Sequence, residues 1–249
     1  MRTVFGVPVV EHMDDLAPTV ERLGIRPWTK RGSPVDLDVY RFGLADSDPL
    51  YVNSLREEVR RFAPKSEVLF LRSPGGTEAE EGRYFRSVGK NWVAVFAPFM
   101  DPSLPLETRE QPWNFLVPIV AEWKHGVEVT VIGPVYGQMN EGESPRDCAL
   151  REFREETGFE LADVQPLTRD GLAVSPRQST QQYFPFLGRL QEPIARHDVH
   201  LDKTEHLRLV FVTLWAWLNF IVDGRARDDN AYATTFLALS RMNLLRFSP

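Results

Sequence analysis

The chain holds a single cysteine, Cys148, in 249 residues. One thiol can form neither an internal disulfide nor a thiolate metal cluster. A bound metal would therefore need oxygen or imidazole ligands, which favours a hard cation over structural zinc. Long apolar runs are missing as well. The richest stretch, Leu207 to Val222, is broken by Arg208, Thr213 and Asn219, so nothing in it reads as a membrane span. The opening Met1 to Gly6 is too short in apolar residues for a signal peptide, and a cytoplasmic protein is expected. A basic surplus is lacking too: the net charge of −6 argues against a general nucleic-acid partner. It does not exclude a phosphorylated small molecule, because a bridging divalent cation can supply positive charge locally. There is no internal repeat and no low-complexity tract.

What is present reads as an α/β chain. Residues 1–64 are expected to form a small α/β extension. Leu16, Val20 and Leu23 recur at helical spacing before Gly24, while Val35, Leu37 and Val39 alternate as in a half-exposed strand. Asp48-Pro49 opens a second helix, with Tyr51, Leu55, Val59 and Phe62 as its apolar stripe and Pro64 as its stop. Residues 65–249 form the main domain. Strands are predicted at Val68–Leu71, Trp92–Phe96, Phe115–Val120, Val127–Val135, Val164–Val174, Gln181–Leu190 and His206–Val212. Pro74-Gly75-Gly76 reads as a turn, since it lacks the lysine and hydroxyl residue of a phosphate loop, and Asp101–Pro112 as an exposed loop. Helices are predicted at Pro145–Glu156, Leu214–Val222 and Asn230–Met242, the last two separated by an Asp223-Gly224 turn.

Chemistry concentrates between residues 137 and 159. Ser144 suits a helix N-cap, Pro145 the first turn, Asp147 the positive end of the dipole, and Gly158 a left-handed stop. Glu152, Glu155 and Glu156 then share one helix, and residues three and four apart face the same side. Three carboxylates converging on one patch repel one another unless divalent cations neutralise them. The glycine-containing loop before the helix lets backbone carbonyls approach the same point. Such oxygen ligands suit Mg²⁺ or Mn²⁺. Acidic residues on a helix are more often a solvated face. Here, however, the full pattern is Gly-x5-Glu-x7-Arg-Glu-U-x-Glu-Glu-x-Gly-U, with U apolar and every defined position filled. At ordinary residue frequencies its chance occurrence is on the order of one in a million or less.

This stretch resembles the Nudix box, the signature of the Nudix hydrolases. The resemblance implies an α/β/α sandwich with a mixed sheet, in which the box forms a loop, a helix and a loop. It also implies Mg²⁺- or Mn²⁺-dependent cleavage of a phosphoanhydride in a nucleoside diphosphate linked to another group. By the same resemblance Glu152, Glu155 and Glu156 are the metal ligands, joined by the backbone carbonyl of Tyr136. Arg151 and Glu143 brace the box as an ion pair, and Gly137 and Gly158 set its turns. Tyr136 stands where many members carry a second glycine, and Asn140 replaces a common acid. The general base lies on the helix, at Glu152, or on a later loop, where Glu205 is the candidate; Glu205 reads equally as an exposed loop residue.

The C-terminal segment is similar to that of the ADP-ribose and nucleotide-sugar pyrophosphatases, where an acidic-Gly turn separates two helices. That similarity implies a small-molecule nucleoside diphosphate derivative as substrate; Ala121–His125 stands where those enzymes often have a Gln-aromatic-Arg strand end, which implies Lys124 on phosphate and Trp123 stacked on a base, and Ala173–Arg177 stands where the ADP-ribose branch places a characteristic proline, with Arg177 as a further anion contact. A surface lysine and a packed core tryptophan are the plainer alternatives. Other substrates of the family (a dinucleotide, a modified nucleoside triphosphate or a capped RNA) remain open, as does a non-catalytic nucleotide sensor. By analogy with relatives, residues 1–64 would help to build a homodimer. His197, Asp198 and His200 lack a third ligand in register and read as a solvated loop.

Overall fold

Alternation along the central strands sorts their apolar side chains into two cores, and this sets the layers of the protein. The computed structural model describes residues 2–25, 65–72, 81–124, 129–176, 179–201 and 206–245. In chain order these residues form β1 (Thr3–Val4), β2 (Val7–Val10), α1 (Leu16–Arg22), β3 (Lys65–Arg72), β4 (Glu81–Val88), β5 (Trp92–Phe96) and α2 (Leu106–Arg109). There follow β6 (Leu116–Lys124), β7 (Val129–Gly133), β8 (Val135–Gln138), α3 (Pro145–Thr157), β9 (Leu161–Pro166), β10 (Leu172–Ala173), β11 (Gln182–Leu190), β12 (Leu207–Thr213), α4 (Leu214–Val222) and α5 (Asp229–Arg241). Among the described residues no helix is long and apolar enough to cross a membrane.

The chain divides into two compact units. One comprises residues 1–28, 91–172 and 182–249, and the other residues 29–90 and 173–181. The first strands of the chain, β1 and β2, lie in the larger unit. In the smaller unit β3 and β4 pair antiparallel from Lys65↔Val88 to Arg72↔Glu81. The larger unit holds two mixed sheets. In the first, β2 runs parallel to β12, and β12 and β7 flank β6 antiparallel. In the second, β5 lies between a parallel β11 and an antiparallel β8, and β9 pairs antiparallel with β11. This is an α/β fold.

β12 shows how the layers arise. Leu207, Leu209 and Phe211 enter a core shared with Cys148, Ala149 and Phe153 of α3. Val210 and Val212 enter a second core with Leu16 and Val20 of α1, Leu214, Trp217 and Ile221 of α4, and Ala231 and Leu239 of α5. Strand geometry sends successive side chains to opposite faces, so one strand supports helices on both sides. Val93 and Val95 of β5 likewise join the α3 core, and Phe96 the other.

Several expected boundaries move. The strand expected over Val127–Val135 is two strands, because Pro134 separates β7 from β8 and the chain changes sheets there. Proline cannot donate to a ladder, so the break falls where it stands. Val164–Val174 starts earlier, at Leu161, and divides into β9 and β10. The strand expected to end at Val120 continues to Lys124. Asp101–Pro112 is not simply an exposed loop: it contains α2, and Asp101 is wholly buried. The helix ending at Gly24 is present, with Gly24 at φ +80°. The expected strand at residues 35–39, the helix from Asp48 and the turn at residues 74–76 lie outside the described residues.

Asp101 explains how the N-terminal strands are held. Its carboxylate pairs with Arg2 Nη1 and accepts from Ser103 N at 2.9 Å and Ser103 Oγ at 2.7 Å. Arg2 Nη2 also reaches Glu11 Oε1 at 2.8 Å. Arg2→Ala would leave a buried carboxylate without its cation, at an expected cost of about 2–3 kcal/mol, since Arg2 keeps some solvent contact. Thermal melting should shift down by roughly 5–10 °C, and an unchanged melting temperature would show that this pair does not anchor β1.

Candidate active site

The box loop leaves β8 and turns into α3 through a set of local caps. Ser144 takes the N-cap with φ −76° and ψ 152°, its hydroxyl accepting from Asp147 N at 3.1 Å, and Pro145 fills the first turn. At the other end Gly158 adopts φ +75° and closes the helix. Each of these positions is occupied by the residue type its backbone conformation favours.

Arg151 ties the loop to the helix. Its Nε donates to Glu143 Oε1 at 2.8 Å and its Nη2 to Glu143 Oε2 at 2.9 Å, a bidentate pair. Nη2 also donates to the carbonyl of Gln138 at 3.1 Å. Nη1 lies between Glu152 Oε1 at 2.7 Å and Glu155 Oε2 at 2.9 Å. Glu143 Oε2 further accepts from the backbone N–H of Asn140 at 2.8 Å. Position 140 thus contributes to this contact through its backbone, which does not require an acid there.

The Arg151 hydrogen bonds hold the Glu143 carboxyl down, from 4.5 to about 2, and push the guanidinium up. A depressed acid stabilises the fold fully above its unfolded value, and that stability is lost as pH falls from 4.5 towards about 2. Solvent screening at the loop keeps the contribution to about 1–2 kcal/mol. Urea midpoints of the wild type and Glu143→Gln should differ most at pH 7, with the gap narrowing between pH 5 and pH 3. A gap independent of pH would mean that Glu143 is not held ionised by Arg151.

Glu152 and Glu156 are buried, at 8% and 6% exposure, whereas the Glu155 side chain is 40% exposed. All three lie on α3, but Glu152 and Glu155 turn towards Arg151. Among the described residues no three His, Cys, Asp or Glu side chains stand close enough to hold one ion. The donor chemistry nevertheless suits a hard divalent cation. Gly137 leaves a cradle that Glu152 fills: a Cβ at residue 137 would sit 1.8 Å from Glu152 Cγ. Cys148 does not compete as a thiolate, because burial pushes its thiol up to about 12.

Tyr136 precedes this cradle in β8, opposite Ala94 of β5. Its ring lies against Gly133, and burial, reinforced by the nearby Asp228 charge, raises its phenol well above the ordinary range. Its side chain is thus engaged away from Glu152, so any part it plays with the carboxylates falls to its backbone carbonyl.

The other expected residues are spread more widely. Trp123 and Lys124 are the last two residues of β6, and Lys124 pairs with Glu122. Adjacent strand residues face opposite sides, so Trp123 and Lys124 do not present one common surface. Glu205 and Arg177 lie outside the described residues. A contact not foreseen from the sequence is the return of the segment around 194–200 onto the end of α3. His197 N donates to the Gly158 carbonyl at 2.7 Å and His200 N to the Glu155 carbonyl at 3.0 Å. Arg196 Nε donates to the Thr157 carbonyl at 3.3 Å, and its guanidinium lies 5.9 Å from the Phe159 ring centre. A Cβ at Gly158 would come within 2.3 Å of the His197 carbonyl, so the glycine serves this docking as well as the helix stop. The side chains of His197, Asp198 and His200 are exposed.

A family profile described as NUDIX domain matches residues 119–224. The chain is 27% identical over 122 residues to "ADP-ribose pyrophosphatase" of Bacillus subtilis (strain 168), covering 49% of this chain and 64% of that protein. It is 27% identical over 111 residues to "Methanol dehydrogenase activator" of Bacillus methanolicus, covering 45% of this chain and 58% of that protein. The chain therefore spans less than two thirds of the length of these relatives. Among solved structures it superposes on an ADP compounds hydrolase with a TM-score of 0.57 at 19% identity, over 73% of this chain and 88% of the other. At that identity the likeness concerns the fold.

Proposed function

We propose that this chain, which carries a Nudix domain over residues 119–224, is a divalent-metal-dependent hydrolase of a nucleoside diphosphate linked to another moiety. ADP-ribose or a similar nucleoside diphosphate sugar is the favoured substrate, giving a nucleoside monophosphate and a phosphorylated product. The observation that carries this reading is the box itself: three glutamates on α3, two of which, Glu152 and Glu155, pair with the Arg151 that also holds Glu143 of the loop, while Gly137 makes room for Glu152. The relative named an ADP-ribose pyrophosphatase supports the substrate class.

Glu152, Glu155, Glu156 and the Tyr136 carbonyl would hold Mg²⁺ or Mn²⁺. When bound, the metal supplies positive charge to the diphosphate oxygens and makes an attacking water more acidic. The Arg151–Glu143 pair keeps loop and helix in register. A carboxylate, Glu152 or Glu205, takes the proton of the water. Lys124, Trp123 and Arg177 remain candidates for substrate contacts, each to be tested singly.

A panel of ADP-ribose, nucleoside diphosphate sugars, a dinucleotide, an oxidised nucleoside triphosphate and a capped RNA, each with Mg²⁺ or Mn²⁺, tests the reading by product identity. Release of a nucleoside monophosphate from ADP-ribose is expected, and no cleavage of any panel member would overturn it. The relative named as a dehydrogenase activator favours a second reading, a regulatory protein acting on an enzyme partner. Nucleotide binding without product would support that alternative. Sizing of the full chain in solution tests the proposed homodimer.

A further inference from the structure

We propose that a groove beside the first turn of α3 is a second binding site, separate from the box carboxylates, for a nucleoside monophosphate. The groove has a volume of about 280 Å³. It is lined by Val164 and Pro166 of β9, Phe184 and Phe186 of β11, and the arginines Arg146 and Arg169. Arg146 is already held by Asp163 at 2.9 Å. Arg169 is exposed and has no ion-pair partner among the described residues.

Three features select the occupant. An uncommitted arginine at an apolar cleft is complementary to an anion. The half-buried Phe184 ring is backed by the α3 core and by Gly171, where a Cβ would stand 2.8 Å from the ring; a fixed aromatic wall suits a planar base. The volume lies at the small end of ligand cavities, roughly 300–1,000 Å³, which fits one nucleotide better than two. Arg146 precedes Glu152 by six residues and Glu156 by ten. At 1.5 Å per residue the groove is displaced roughly 9–15 Å along the helix from the carboxylates. The choice of a nucleoside monophosphate rests on the reaction proposed above, which releases that product.

Calorimetric titration of AMP into the full chain, with EDTA present, tests the site directly. One molecule should bind per chain, with adenosine and inorganic phosphate each binding more weakly. Arg169→Glu and Phe184→Ala should each weaken AMP by about tenfold or more, while Glu156→Gln should leave it unchanged. Arg169→Glu should also leave kcat within about twofold, since the residue is remote from the carboxylates. Absence of binding at millimolar AMP, or equal affinity in the wild type and Arg169→Glu, overturns the proposal. Loss of binding in Glu156→Gln overturns it too, because AMP would then be occupying the box. So does a raised KM in Arg169→Glu without metal-free AMP binding, which would place the groove within the substrate site. Melting curves confirm folding, and if Phe184→Ala fails to fold, the surface variant Arg169→Glu decides alone. AMP binding does not depend on turnover: an inactive protein with an intact AMP site would refute the proposed reaction and leave the groove standing, and turnover without metal-free AMP binding would do the reverse.

Discussion

Glu156→Gln is expected to lower metal-dependent hydrolysis on the order of a thousandfold while the melting temperature stays level or rises. The two effects have one cause. Glu156 is only 6% exposed, on the helix that also carries Glu152 and Glu155. Burying a carboxylate is costly, and an isosteric neutral amide relieves that cost while keeping the packing. The charge lost is one of the three proposed to hold the cation. A purely structural glutamate would show the opposite pattern, with a lower melting temperature and retained turnover. Steady-state rates at saturating Mg²⁺ and a thermal melt of the same preparation separate the two. Retained activity would remove the box from the catalytic assignment.

Gly137→Ala is expected to cost about a hundredfold in turnover and about 1–3 kcal/mol in stability. The added methyl would lie 1.8 Å from Glu152 Cγ and 2.2 Å from Cδ. The backbone cannot easily retreat, because Gly137 lies opposite Val93 and Gln138 opposite Trp92 in the β5–β8 ladder. The Glu152 side chain must give way, and with it the 2.7 Å contact to Arg151. Gly142→Ala is the control. Gly142 has φ +76° and nothing within 4 Å of the added carbon, so only the backbone term of about 1–2 kcal/mol applies. Turnover that falls equally in both variants would show that loop conformation, rather than the Glu152 cradle, governs activity.

The helix of the box could be placed from the sequence to within a residue because its signals are local. Ser144, Pro145, Asp147 and Gly158 each act on backbone within a turn of themselves, and the helix was expected over Pro145–Glu156 and observed over Pro145–Thr157. Short runs rich in strand-forming residues likewise located β5 and β11, whose ends are marked by polar or turn-forming neighbours. Periodicity did less well where one residue interrupts a continuous apolar run. Pro134 splits such a run between two sheets, and no count of apolar residues reveals that the halves pair with different partners.

The residue types at 137–159, and hence the caps of α3 and the carboxylates it carries, were determined by the amino-acid sequence alone, since capping acts on backbone within a turn. Tertiary structure decided what long-range pairing controls. It set the joining of β2 to β12, the burial of Asp101 under Arg2, the use of Gly137 as a seat for Glu152 fifteen positions along the chain, and the return of His197 and His200 onto the end of α3. Those contacts form between segments distant in sequence, so their partners are fixed only once the sheets have chosen their order.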